Sequence, residues 1–380
     1  MKVKPELERI AYQSDASQIK GTAKEIIFPK TTAEVIKIIK MRQNIVPRGA
    51  GTGLAGGCVP LNSVILDMSK MDKILSIDRA GKAVEVESGI ILENLNFLLK
   101  PLGLEFPINP SSYKSCTIGG MIACNAVGTR AVKYGRTSDW IKEIEMVNGK
   151  GEVAKMGKID FSDVTGLEGL TGIVVKAKLK LVEIKKRTAS LMKINNIDKI
   201  PDIIKRLKSN QDVCGIELFG KTASKLLELP GEYHLLVEYE SEEGQLKNRE
   251  YQKILDLRDN TFPKLAAEGF THIEDPKTAI FKLPEFIHYF EENKIPFFGH
   301  VGEGILHPCF RPNQEKEIEH MLNFVKKLHG NVTGEHGIGL AKKKFLESGD
   351  KRIIQNIKKR HDPENKLNPG KVIDFAEKND

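Results

Sequence analysis

The segment PRGAGTGLAGG, residues 47–57, sets five glycines in eleven positions between two apolar runs, NIVP (44–47) and SVILD (63–67). Glycine accepts positive φ without steric cost, so such a loop can curl until successive N–H groups point inward and cradle phosphate oxygens. The next element reads as a strand, not as the helix a Rossmann fingerprint requires, and the Lys-Ser/Thr ending of a P-loop is missing. A purely structural turn has no need of so many glycines. A second cluster, PSSYKSCTIGGMIACNAVG (110–128), pairs small side chains with Gly119, Gly120 and Gly128, and a third, GLEGLTGIV (166–174), opens a strand. With NPGK (368–371), these segments predict an extended dinucleotide running across them.

At 380 residues the chain can hold two domains, each with its own core. Residues 31–42 read as a capped helix with apolar Val35, Ile36, Ile38 and Ile39. Residues 83–88 alternate as a strand, and 90–100 form a helix ended by Pro101 and Gly103. A turn-rich stretch runs from Ile108 to Arg136, followed by strands at 141–147 and 172–183. Glycine density then falls, which predicts a domain boundary. Beyond it, strands at 189–194, 213–219 and 233–239 alternate with helices at 197–208, 221–228 and 242–257. That is the pattern of helices on one face of an antiparallel sheet. Strands at 296–301 and 305–310, a helix at 314–329 and a basic helical tail at 341–361 complete the reading. The fold class is therefore α+β, with domains at 1–185 and 186–340 and a C-terminal segment at 341–380.

The formal charge is +8, and much of it lies in the tail, in Lys342, Lys343, Lys344, Lys351, Arg352, Lys358, Lys359 and Arg360. The plain reading is a solvated helix face; docking on an acidic redox partner or an anionic membrane surface is the sharper one. Aromatic residues are few there and no nucleic-acid module is legible, so a nucleic-acid partner is not expected. Five cysteines show no CxxC spacing, which argues against an iron–sulfur cluster or zinc ribbon and suits a reducing cytoplasm. No apolar run approaches the ~18–20 residues needed to cross a bilayer. The N-terminal MKVKPELERIAYQSD lacks the apolar segment of a secretory signal.

Two of nine histidines fall in GHVGEGILH (299–307), and another follows a glutamate in NVTGEHGIG (331–339). Imidazole nitrogens with one carboxylate oxygen are the ligand set of a catalytic zinc site with an open position. A glycine-rich hairpin could bring His300 and His307 together, with Glu335 arriving from another loop. Against that stands the ordinary case of single, partly buried polar histidines. The surrounding glycines favour a functional loop, which needs close backbone approach.

In these motifs the chain resembles the FAD-linked oxidase superfamily of the vanillyl-alcohol-oxidase type, from YQSDAS (12–17) to LNPGKV (367–372). Within it, the nearest resemblance is to the group of D-lactate dehydrogenase, glycolate oxidase and D-2-hydroxyglutarate dehydrogenase. The resemblance implies a two-subdomain, PCMH-type FAD-binding domain, a cap domain with a ferredoxin-like antiparallel sheet, and a C-terminal segment returning to the FAD domain. It assigns Arg48, Gly49, Ala50, Gly51, Thr52, Gly53 and Leu54 to the pyrophosphate. It places Pro110, Ser111, Thr117, Gly119, Gly120, Asn125 and Gly128 along the flavin, and Gly169, Gly172, Ile173 and Val174 at the adenosine end or ring. Asn368 would close the site from the tail. The first histidine is His234, so histidyl attachment within the flavin domain is excluded and non-covalent FAD is expected; cysteinyl attachment through Cys58, Cys116 or Cys124 stays formally open.

The resemblance also implies that His300, His307 and Glu335 bind a divalent metal, often zinc, that His336 is the catalytic base, and that Arg258 holds a substrate carboxylate. A guanidinium fork suits a planar carboxylate, although a helix-surface arginine fits the same sequence. Two departures stand out. Relatives acting on dicarboxylic hydroxy acids carry a lysine some fifteen residues beyond this arginine, where the chain reads THIEDP (271–276). They also tend to have an asparagine shortly after the second metal histidine, where Pro308 and Cys309 stand. Both point to a small monocarboxylic acid such as D-lactate or glycolate. The activity implied is FAD-dependent oxidation of a D-2-hydroxy acid to its 2-oxo acid. Electrons would pass to oxygen, a quinone, a soluble carrier or a partner subunit. A homodimer in the cytoplasm, or docked peripherally at the inner membrane face, is expected. The alternatives are a non-catalytic flavin subunit of a larger oxidase complex and a non-redox relative resembling the alkyl-dihydroxyacetone-phosphate synthases, whose run of adjacent histidines is absent here.

Overall fold

The computed structural model describes residues 9–230 and 232–375; most of the N-terminal segment read for a signal lies outside them. After a short helical turn at Ile10–Tyr12 come β1 (Thr22–Ile27), α1 (Thr32–Met41), β2 (Ile45–Arg48) and β3 (Leu61–Asp67). These strands make a parallel sheet in the order β1-β3-β2. Helix α1 starts where Thr31 accepts a hydrogen bond from Glu34 N, and it buries Val35, Ile38 and Ile39.

Next come β4 (Ile74–Asp78), β5 (Ala83–Glu87), α2 (Leu92–Leu99), β6 (Leu104–Glu105), α3 (Ile118–Cys124), α4 (Ala131–Tyr134), β7 (Ile141–Asn148), β8 (Val153–Met156), β9 (Gly172–Lys180) and β10 (Val182–Glu183). Five of the strands form an antiparallel sheet, β4-β5-β9-β7-β8, while β10 pairs with β6. The stretch expected to be turn-rich contains α3 and α4. Two glycines make Ile118–Cys124 a poor helix former, but Thr117 caps it by accepting from Gly120 N.

The second half supplies β11 (Thr188–Ile194), α5 (Ile200–Lys208), β12 (Val213–Phe219), α6 (Lys221–Leu226), β13 (Tyr233–Tyr239), α7 (Asn248–Asp259), α8 (Thr261–Ala267), β14 (His272–Ile273), α9 (Leu283–Glu292), β15 (Phe297–Gly299), β16 (His307–Phe310) and α10 (Glu315–Lys327). Its six-stranded antiparallel sheet runs β11-β13-β12-β15-β16-β14. The β11-α5-β12-β13 unit has the strand order of a ferredoxin-like half, and the sheet then extends past β12. Every residue of β12 and β13 is buried, so this sheet is covered on both faces.

The tail, with α11 (Ser348–His361), returns to the first sheet. Ile45 N donates to Lys366 O and Asn368 N donates to Ile45 O, so residues 366–368 lie along β2 as a short parallel partner. Leu367 is fully buried in the core beneath α1. The tail is not the uniformly solvated basic face expected from its charge. Lys358 is buried, paired with Asp362 and donating to the carbonyls of Leu170 and Leu367; Lys342 is buried as well. No helix among the described residues is long and apolar enough to cross a membrane.

Candidate active site

One continuous cleft of about 310 Å³, partly open to solvent, runs from the glycine loops to the second sheet. The loop after β2 forms one end. Among the described residues, no protein group accepts a hydrogen bond from the amides of Gly51, Thr52, Gly53 or Leu54, and all four residues line the cleft. Consecutive free N–H groups on a concave wall fit a diphosphate. Gly49 packs so tightly on the cap of α3 that a Cβ there would lie 2.2 Å from Thr117 Oγ1, so the first and second loops meet only because the side chain is absent. Arg48 lines the cleft, but its guanidinium turns onto Ser14 O (2.9 Å) and the ring of Tyr12 and so braces the loop. Ala50, Pro110, Ser111, Gly119, Gly120, Gly169, Gly172, Ile173 and Val174 also line the wall.

Three expected contacts lie off it. Asn125 ends α3 at φ +48°, and its Oδ1 accepts from Ser138 N. Gly128 sits against the backbone of Asn109, where a Cβ would come within 2.5 Å. Asn368 is buried under the loop, its Nδ2 donating to the carbonyls of Gly57 and Glu168 and its Oδ1 accepting from Lys371. All three make contacts that hold the chain together.

At the other end, β15 and β16 place His300 and His307 side by side, and the loop at 331–339 brings Glu335 between them. One ligand atom from each of His300, His307 and Glu335 lies within 4.8 Å of the others. His300 Nε2 is 3.5 Å and His307 Nε2 3.2 Å from Glu335 Oε1. The opposite ring nitrogens are already engaged: His300 Nδ1 with Glu217 Oε1 at 2.5 Å, and His307 Nδ1 with Glu274 O at 3.3 Å. These partners leave both Nε2 atoms directed at one point, the arrangement second-sphere groups impose on metal-binding histidines. Burial works against a charged His300, but Glu217 and Glu335 outweigh it and push its pKa up to about 10. The same negative field favours a divalent cation, and two imidazole nitrogens with one carboxylate oxygen fit zinc with an open position.

His336 stacks on His307 with ring centroids 5.3 Å apart and planes at 7°, and its Nε2 is 3.6 Å from Glu335. Burial lowers its pKa, which keeps the imidazole neutral and able to take a proton. Its position is set by Asp275, fully buried, whose Oδ2 accepts from the backbone amides of Gly334, Glu335 and His336 and from Thr333 Oγ1. Lys342 pairs with both Asp275 and Glu274. Despite burial, His336 and Lys342 together hold the Asp275 carboxyl down at about 2. Glu168, from the third glycine segment, accepts from Ile338 N and Gly339 N and so ties the flavin-side loop to the histidine loop.

Arg258 is not on a helix surface. It is buried near the end of α7, paired with Asp259 at 2.9 Å, and it lines the cleft with Glu217, His300 and His307. Glu303, given no role in the sequence, pairs with Lys208 and Lys277. Glu217, Asp275 and Lys342 were not singled out as site residues, because nothing local marks them; only the fold brings them to the histidines.

Comparison with known proteins agrees with this architecture. Residues 23–157 match the family described as FAD binding domain, and residues 185–372 the C-terminal domain of FAD linked oxidases. Glycolate oxidase subunit GlcD of Bacillus subtilis is 30% identical, the match covering 96% of this chain and 92% of that protein. D-lactate dehydrogenase of Anaerostipes hadrus is 28% identical over 95% and 92%, and D-2-hydroxyglutarate dehydrogenase of Stutzerimonas stutzeri 24% over 92% and 90%. A solved structure of alkyldihydroxyacetonephosphate synthase superposes with a TM-score of 0.72 at 16% identity, covering 97% of this chain and 82% of that one, a likeness of fold. The chain belongs to the FAD-linked oxidase family.

Proposed function

We propose that the protein oxidises a D-2-hydroxy acid bearing one carboxylate to the corresponding 2-oxo acid, using non-covalent FAD and a divalent metal, most simply zinc. The observation that carries this reading is the convergence of His300, His307, Glu335, His336 and Arg258 on the same cleft as the free amides of the glycine loop. Bound FAD supplies the acceptor for the C2 hydride, and a metal held by His300, His307 and Glu335 supplies Lewis acidity at the substrate hydroxyl. Arg258 binds the substrate carboxylate through its guanidinium. His336, neutral and fixed through the Asp275-bound loop, takes the hydroxyl proton as the C2–O bond becomes a carbonyl. Glu217 and Glu274 hold the two ligand imidazoles in orientation. By this reading the first 185 residues are the flavin domain, 186–340 the cap, and 341–380 the segment that ties them together.

The test is the visible spectrum of the FAD- and zinc-loaded protein before and after anaerobic D-lactate. Bleaching with D- but not L-lactate supports the reading. A flavin that stays oxidised with every hydroxy acid defeats it and favours a flavin subunit without its own reaction.

A further inference from the structure

Beyond Arg258 the cleft is walled by Phe262, Ile273 and Phe298, all half-buried. They come from three separate elements. Phe298 faces His307 across the β15–β16 pair, with ring centroids 5.2 Å apart. Ile273 ends β14, next to the Glu274 whose carbonyl orients His307. Phe262 lies in the first turn of α8, four residues after Arg258. Of the charged groups about this wall, Asp259 is paired with Arg258 and Glu217 stands behind His300; Lys114, close enough to act on Asp259, does not line the cleft. Among the described residues that line the cleft, Arg258 is the only lysine or arginine besides Arg48, whose guanidinium is engaged under the glycine loop.

The Arg258 guanidinium, one nitrogen of which is paired with Asp259, has its remaining N–H groups for a single substrate carboxylate. A second carboxylate on the substrate would leave water to face Asp259 and two phenyl rings without a partner, at high cost. An apolar substituent gains instead from burial on the same surface, and two phenyls and a sec-butyl group are more than a methyl can cover.

We infer that the substrate of this site is a D-2-hydroxy acid whose C2 side chain is apolar and larger than methyl, aliphatic or aromatic, and rests on Phe262, Ile273 and Phe298. The inference rests on the oxidation proposed above and names its substrate class. In that reaction the C2 hydride passes to FAD, the hydroxyl proton to His336, and the side chain keeps all its bonds.

The FAD- and zinc-loaded protein is mixed anaerobically with glycolate, D-lactate, D-2-hydroxy-4-methylpentanoate, D-3-phenyllactate, D-malate and D-2-hydroxyglutarate, and flavin bleaching is followed at several concentrations of each. The reduction efficiency rises by about three- to fourfold per buried methylene from glycolate upward, and both dicarboxylates fall below D-lactate. Ile273→Lys, checked for unchanged FAD content, lowers the preference for the methylpentanoate over D-2-hydroxyglutarate by about tenfold or more. A dicarboxylate that outruns the methylpentanoate, efficiencies that are flat or fall with side-chain size, or an unmoved preference in a folded Ile273→Lys overturns the inference while leaving the oxidase reading intact. Reduction by none of the acids overturns the oxidase reading, and this inference with it.

Discussion

The two ends of the cleft are built on opposite principles. At the glycine loops the cleft surface is backbone: amides of Gly51–Leu54 with no acceptor among the described residues, and a Gly49 that touches Thr117 because nothing projects from it. At the histidines the surface is charge, and each working side chain is held by a partner far away in sequence: Glu217 on His300, Asp275 under the Glu335–His336 backbone, Lys342 on Asp275. The first end is sensitive to added bulk. The second is sensitive to the loss of one charge. Removing a partner there strands a buried ion, which is costlier than deleting an exposed pair.

The comparison is sharpest at His336. With His336→Ala, flavin reduction by a hydroxy-acid substrate drops about 10²–10⁴-fold while the bound FAD per chain stays the same, read from the protein-bound flavin spectrum. If FAD is lost with it, the two ends are not separable. Glu217→Gln comes next: zinc affinity, measured by competition with a chelator, weakens about 10–100-fold with no change in FAD binding. Gly49→Ala is the converse. Its Cβ would sit 2.2 Å from Thr117 Oγ1, and the strain of about 1–3 kcal/mol should appear as weaker FAD binding with zinc affinity unaltered. Equal zinc loss in that variant would break the contrast.

The smallest effect tests whether the backbone end carries hidden charge. Lys371 is buried, donates to Gly57 O and Asn368 Oδ1, and burial brings its pKa down to about 8. Between about pH 8 and the ordinary lysine value the unfolded chain binds more protons than the folded one, so this residue's contribution to stability rises with pH across that window. Urea unfolding of wild type and Lys371→Met should show the difference moving toward wild type by roughly 1–3 kcal/mol between pH 7.5 and 10.

What could be read in advance follows the same division. A glycine loop and a GEH motif are local patterns, and the spacing of strands from Thr188 to Tyr239 exposed the second sheet almost residue by residue. Helix α3 stayed hidden because Gly119 and Gly120 argue against a helix unless the Thr117 cap is known. Asp275 stayed hidden because a lone aspartate in a loop carries no periodicity; its five bonds reach residues about sixty positions on. Lys342 and Lys358 misled in the other direction. In a run of basic residues they look solvated, and only tertiary packing gives them acidic partners and carbonyls. Asn125, Gly128 and Asn368 make contacts within the chain, a use that local pattern cannot separate from ligand contact.

The seam between Ile45 and Leu367 has a consequence for how the protein comes into being. More than 300 residues separate the two positions, yet Ile45 exchanges backbone hydrogen bonds with Lys366 and Asn368, on either side of Leu367, in one small sheet. On the ribosome, at about 5–20 residues per second, β2 must wait roughly 15–60 s for that partner to be made. Throughout that interval Ile45 N has no acceptor in the tail, and the core beneath α1 lacks Leu367. The cofactor loop that β2 carries is among the first parts translated and among the last to be framed.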